Sequence, residues 1–159
     1  HLQMEYLAHA TRVEMAHIPY KSDQDVTREV AGGSVHVGLT IAQFAIPLVT
    51  AGRLNALAVT GSERLPALPQ VPTVAESGVS GFAIEIFFGI AAPAKTPPNL
   101  VARLSQEIAE ICKQADVQER ITRAGLVPTY HGSEPFGALI RDDHERFGKI
   151  IRDAGIVPN

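Results

Sequence analysis

The chain has 159 residues, 45% of them hydrophobic, and a formal net charge of −3, which suits one globular domain or two small lobes with a real core. The slight acidity and the lack of a basic cluster argue against nucleic acid as a partner. The apolar runs, about ten residues at most, are broken by glycine or proline and are too short for a membrane span. The single cysteine, Cys112, excludes an internal disulfide and a multi-cysteine metal site. A start at His1 without a signal peptide reads as a mature form or a fragment.

Residues 2–13 read as a loosely delimited helix, and 15–19 as a strand ending at Pro19. Ser22 or Asp23 caps a helix to about Ala31, which Gly32-Gly33 ends. A strand over 35–39 follows. Residues 42–51 are helix-like, with Pro47 giving a kink or a late start and Gly52 the stop. Residues 54–60 are a third strand. This α-β-α-β-α-β order implies parallel strands with helical crossovers, an α/β class.

The middle breaks the pattern. Pro66, Pro69 and Pro72 force an irregular, extended loop over 65–72. Thr73 caps a short helix ending at Gly78. The apolar run 82–92 exceeds ordinary strand length, and Pro93 closes it; a strand crossing between two lobes accounts for that. The last third is mainly helical. Thr96-Pro97 opens a helix carrying Leu100, Leu104, Ile108 and Ile111, with Cys112 on its apolar side as a buried structural thiol. Asp116 caps a second helix ending at Gly125. A short strand over 126–130 precedes a final helix from Ser133. That helix has Phe136, Leu139, Ile140, Phe147, Ile150 and Ile151 on one face and Arg141, Asp142, Asp143, Glu145 and Arg146 on the other; Gly155 ends it.

Catalytic chemistry has little support. The histidines at 1, 9, 17, 36, 131 and 144 form no zinc-like spacing, so no metal is expected. His17 and His36, on adjacent predicted strands, read first as hydrogen-bonded strand residues and second as pocket lining. A Gly-x-Ser-x-Gly elbow, a Gly-x-Gly-x-x-Gly turn and a Walker loop are all missing, and no cofactor is expected. What remains is a binding site. The helix start at Tyr20, Lys21, Ser22, Asp23 and Gln24 offers free amides to an anion at the carboxyl end of a strand. Thr40, Ile41 and Ala42 offer a second such start at the same edge. Ordinary capping explains both equally well. Tyr20 either covers a ligand or covers the sheet, and Lys21 either pairs with an anion or is simply exposed.

Several segments resemble one family. His17-Ile18-Pro19-Tyr20-Lys21 is similar to the HVPYKG segment of the Bug-type (TctC-like) periplasmic receptors of tripartite tricarboxylate transporters. Gly32-Gly33-Ser34-Val35 resembles their GGQVD, residues 51–60 their AGKLRALAVT, and 68–73 their LPDVPT. Residues 88–97 and 149–156 resemble further family segments, in the same order along the chain. The resemblance implies a type II periplasmic-binding-protein fold of two α/β lobes, with about half the family's length absent. Residues 1–85 would be the second lobe; 86–159 would be the crossover strand and the C-terminal helices packing on the first lobe. It further implies a non-enzymatic, periplasmic solute receptor that closes on a small organic carboxylate and hands it to membrane transporter subunits. Self-association or domain swapping of the truncated chain is expected as a way of covering the faces left bare.

Some positions depart from the family pattern. Ser22 stands for the usual glycine, followed by Asp23, whose carboxylate opposes an anionic ligand unless it points away or meets a ligand amine. Thr40, Ile41 and His36 replace aspartate, asparagine and aspartate, and Phe87 replaces a tryptophan. The expected ligand therefore has a carboxylate and a hydrophobic or aromatic body, with Tyr20 and Phe87 packing on it. The rival reading is the effector-binding domain of a cytoplasmic transcription regulator with the same two-lobed fold.

Overall fold

The computed structural model describes residues 1–153 and Gly155. The family-like Ala154 and Ile156 lie outside the described residues. Among the described residues there are six helices: α1 (Leu2–Thr11), α2 (Asp23–Ala31), α3 (Ala42–Thr50), α4 (Pro98–Cys112), α5 (Ala115–Arg123) and α6 (Ser133–Asp153). The chain divides into two units, His1–Glu85 and Ile86–Asp153.

Local chemistry accounts for the helix ends in the first unit. α1 stops at Thr11, two residues before the expected end, because Arg12 turns left-handed at φ 56°. Ser22 caps α2: extended itself, it accepts the Asp25 amide on Oγ at 3.1 Å. At the other end Gly33, at φ 78°, lets the Ser34 amide reach the Glu29 carbonyl at 3.0 Å and its own amide reach Val30 at 3.1 Å. That pair of bonds is a Schellman closure, which needs a left-handed residue. α3 closes in the same way through Gly52. Pro47 lies inside α3, which begins at Ala42 and runs through it at the cost of one backbone bond. α2 packs against α3.

The expected strands 15–19, 35–39, 54–60, 82–92 and 126–130 do not form ladders. Among the described residues there is a single parallel bridge, Val59 to Thr73. Two of the runs are solvated: every residue of 15–19 is exposed, as is every residue of 86–93. A parallel ladder needs a neighbour at about 4.8 Å and cover on both faces, and 15–19 and 86–93, exposed throughout, lack the cover. The alternation survives in one place, where Leu54, Ala56 and Ala58 are half-buried while Asn55 and Leu57 are exposed.

The core of the first unit sits instead around the proline-rich segment. Leu68, Val71, Val74, Phe82 and Ile84 are its buried apolar residues, with Phe82 and Ile84 each only 1% exposed. Residues 65–72 are irregular, as expected, but they pack inward. Thr73 and Glu76 form a reciprocal capping box: the Thr73 amide donates to Glu76 Oε2 at 2.7 Å and the Glu76 amide to Thr73 Oγ1 at 3.0 Å. Turns follow it rather than the expected short helix. Arg64 Nε donates to both Glu76 oxygens, at 3.2 and 2.9 Å, and Arg64 Nη1 donates to the Pro69 carbonyl at 3.1 Å. One guanidinium thereby ties the proline loop to the capped turn. First Arg64, then the Thr73 amide, hold the Glu76 carboxyl below its ordinary pKa. The Val59 and Val74 amides donate to Pro72 and Val59, and the Ile84 amide donates to Thr60. Tyr6 of α1 stacks on Phe82, with ring centroids 5.1 Å apart.

In the second unit α4 starts one residue later than expected, with Pro97 as N-cap and Pro98 in the first turn. Gln114, not Asp116, is the N-cap residue of α5 and makes no side-chain cap bond; Asp116 lies in the first turn and faces Arg120 at 3.6 Å. Cys112 ends α4 and is half-buried, which corrects its expected full burial. In α6, Ile150 is buried while Ile140 is exposed. Phe136 of α6 meets Phe87 edge-on at 5.4 Å and lies against Gly89.

Candidate ligand site at two helix starts

The N-termini of α2 and α3 are joined by one carboxylate. Asp23, the first residue of α2, accepts on Oδ1 from the Thr40 hydroxyl at 2.8 Å and from the Ile41 amide at 3.1 Å. Ile41 is the N-cap of α3 and has no side-chain cap of its own, so Asp23 serves as a cap supplied from a neighbouring helix. The local packing explains why 38–41 can come so close. Gly38 lies against the inner face of α2, where a Cβ would stand 2.6 Å from Val26 Cγ1 and 2.9 Å from Val30 Cγ2.

On the other side of the cap Ser22 and Asp25 bond reciprocally, with Ser22 Oγ donating to Asp25 Oδ2 at 2.8 Å. Arg28 Nη2 donates to Asp25 Oδ1 at 2.7 Å. Ser22 first, and Arg28 second, hold the Asp25 carboxyl below its ordinary pKa. Thr27, buried in α2, turns its hydroxyl back onto the Asp23 and Gln24 carbonyls at 3.1 and 3.0 Å.

The expected site residues therefore separate into groups. Asp23, Thr40 and Ile41 form one hydrogen-bonded cluster in which the Ile41 amide is engaged by Asp23, while Ser22 bonds with Asp25 instead. Tyr20 is half-buried, Lys21 and Gln24 are exposed, and Ala42 is half-buried at the start of α3. The Asp23 and Gln24 amides are first-turn donors that have no acceptor within their own helix. Phe87 belongs to the second unit, where its ring rests on Phe136. His17 and His36 are not strand neighbours: His17 stacks on His1 with centroids 3.9 Å apart, and His36 is exposed. Among the described residues, no three His, Cys, Asp or Glu side chains gather as a metal site. The sequence offers Asp23 as a cap of its own helix, or as a carboxylate that points away or meets a ligand amine, and does not show this link to α3. An acidic first-turn residue beside a helix start lacking its own cap is the pattern that could have pointed to it.

Residues 1–156 match the family described as "Tripartite tricarboxylate transporter family receptor". The chain belongs to this family. It is 32% identical over 152 residues to a UPF0065 protein from the tcbD-tcbE intergenic region of Pseudomonas sp. (strain P51), covering 95% of this chain and 45% of the relative. It is 28% identical to Protein BugT of Bordetella pertussis, covering 98% of this chain and 48% of that one. Among solved structures, the R. palustris protein Rpa4515 with adipate superposes with a TM-score of 0.89 at 30% identity, covering 100% of this chain and 53% of its own. MatC from Rhodopseudomonas palustris, with bound malate, gives 0.78 at 26% identity, covering 94% and 52%. The chain thus has the α/β fold of the periplasmic binding proteins, over about half the length of the receptors it matches. The tripartite tricarboxylate receptors are solute-binding proteins rather than enzymes. The regulator reading gains nothing from these matches.

Proposed function

We propose that this receptor-family chain captures a small organic carboxylate in the periplasm and delivers it to a tripartite tricarboxylate-type membrane transporter. The observation that carries the reading is the family match over residues 1–156, joined to similar structures solved with adipate and with malate. In this reading residues 1–85 form the second lobe, and 86–159 form the crossover and the helices that return to the first.

The binding wall of the first unit is the pair of helix starts. The Asp23 and Gln24 amides donate to the ligand carboxylate directly or through water, helped by the positive end of the α2 dipole. Lys21 adds a cation beside them, Tyr20 packs on the ligand body, and Ala42 borders the site at α3. The test is calorimetric titration of the full-length receptor with a panel of mono- and dicarboxylates. Micromolar binding of at least one acid is the expected result. Failure to bind any organic acid overturns the proposal.

A further inference from the structure

The Asp23 contact gives this wall a property of its own. A helix start with a free cap amide and a neighbouring hydroxyl is a place where a carboxylate sits comfortably. At α3 that place is already filled, because Thr40 Oγ1 and the Ile41 amide both donate to the chain's own Asp23. Among the described residues neither lysine nor arginine forms an ion pair with the charge that fills it; Arg28 pairs with Asp25 and Glu29. The wall therefore carries a fixed, hydrogen-bonded anion at the start of one helix and open amides at the start of the other.

We propose that Asp23 is a specificity-determining residue that turns this wall against a second ligand carboxylate. Resting on the receptor reading above, it assigns the preferred ligand class as monocarboxylates, or acids whose far end is neutral or cationic, over dicarboxylates of equal length. Two effects act together. Asp23 removes the donors that a second carboxylate would need, and it repels one brought near them. Specificity of this kind comes from a built-in unfavourable contact rather than from an added favourable one.

Asparagine and alanine at 23 separate charge from geometry. Asp23→Asn keeps an Oδ1 acceptor for Thr40 and Ile41 and removes the charge. Asp23→Ala removes both and opens the α3 start. The experiment titrates the full-length receptor and both variants with hexanoate and adipate, two acids of equal carbon number that differ in the second carboxylate. The expected result is tighter binding of hexanoate by the natural protein. Asp23→Asn shifts the hexanoate-to-adipate ratio towards adipate by about five- to tenfold at low salt. An unchanged ratio in both variants, or a natural protein that prefers adipate, overturns the inference and leaves Asp23 a cap alone. Absence of heat with every acid in all three proteins removes the receptor reading itself, and this inference with it. Hydrogen exchange at the Ile41 amide checks the contact without any ligand: it accelerates in Asp23→Ala and stays slow in Asp23→Asn. Equal exchange in Asp23→Ala and the natural protein also overturns the inference.

Discussion

Gly38 and Val26 sit closer than any side chain at 38 would allow, since a Cβ there would stand 2.6 Å from Val26 Cγ1. Val26 and Val30 are both β-branched with stiff χ1 angles, so neither swings aside. Gly38→Ala is expected to destabilise the first unit by about 1–3 kcal/mol, the usual range for overpacking. Adding Val26→Ala should restore part of the loss. Urea unfolding of the two single variants and the double variant measures this coupling directly.

Ser22 is the side-chain cap of α2, and it also restrains Asp25. Ser22→Ala is expected to cost about 1 kcal/mol, the typical value for a lost cap. Ser22→Gly should cost only a few tenths of that. Thermal melting of both variants compares the two.

The Arg64–Glu76 pair makes a pH-dependent prediction. The Glu76 carboxyl is held below its ordinary value of 4.5, so its contribution to stability is present above about that pH and is lost as pH falls through the lowered value. Glu76→Gln keeps an acceptor for the Thr73 amide and loses the charge. Its stability gap to the natural protein should be widest near neutral pH and should close in acid. Urea midpoints at about pH 7 and about pH 3 decide the matter; a gap that widens in acid contradicts it.

The run after Glu85 carries apolar side chains in solvent: Ile86 is 52%, Phe88 67% and Ile90 78% exposed. Contiguous exposure of this kind drives association. The 159-residue chain expressed by itself is expected to self-associate as concentration rises, and Phe88→Ser with Ile90→Ser should reduce that. Light scattering across a concentration series is the measurement. A monomer throughout argues against this.

Helix boundaries were largely legible because their signals are local. Ser22, Gly33 and Gly52 act within a few residues, and each closes or opens a helix where its chemistry predicts. Pairing was not legible in the same way. Residues 15–19 and 54–60 have strand-like composition, yet a ladder depends on a partner that composition does not describe. The Thr73–Glu76 capping box shows the intermediate case: its residues lie three apart, but the turn it starts ends at Gly78 before becoming a helix. Proline-rich 65–72 read as loop and is loop. Its burial came from Leu68 and Val71, whose apolar character the prolines overshadowed.

The candidate site divides along the same line. Tyr20 to Gln24 stood out because a strand-like run meets a helix cap there. The Asp23–Thr40–Ile41 bonds join residues 17 and 18 apart in sequence, which no local pattern encodes. Phe87 entered only through family resemblance, and the structure seats its ring on Phe136.

Five of the buried apolar residues of the first unit fall between Leu68 and Ile84. Val74 and Ile84 bond to Val59 and Thr60, so apart from Tyr6 stacking on Phe82 the closure joins residues within about 25 positions and costs little loop entropy. Residues 59–84 can therefore collapse early, before α2 and α3 find each other. The paired starts of α2 and α3 would then be the late-folding part of the unit, added to a proline-stiffened nucleus.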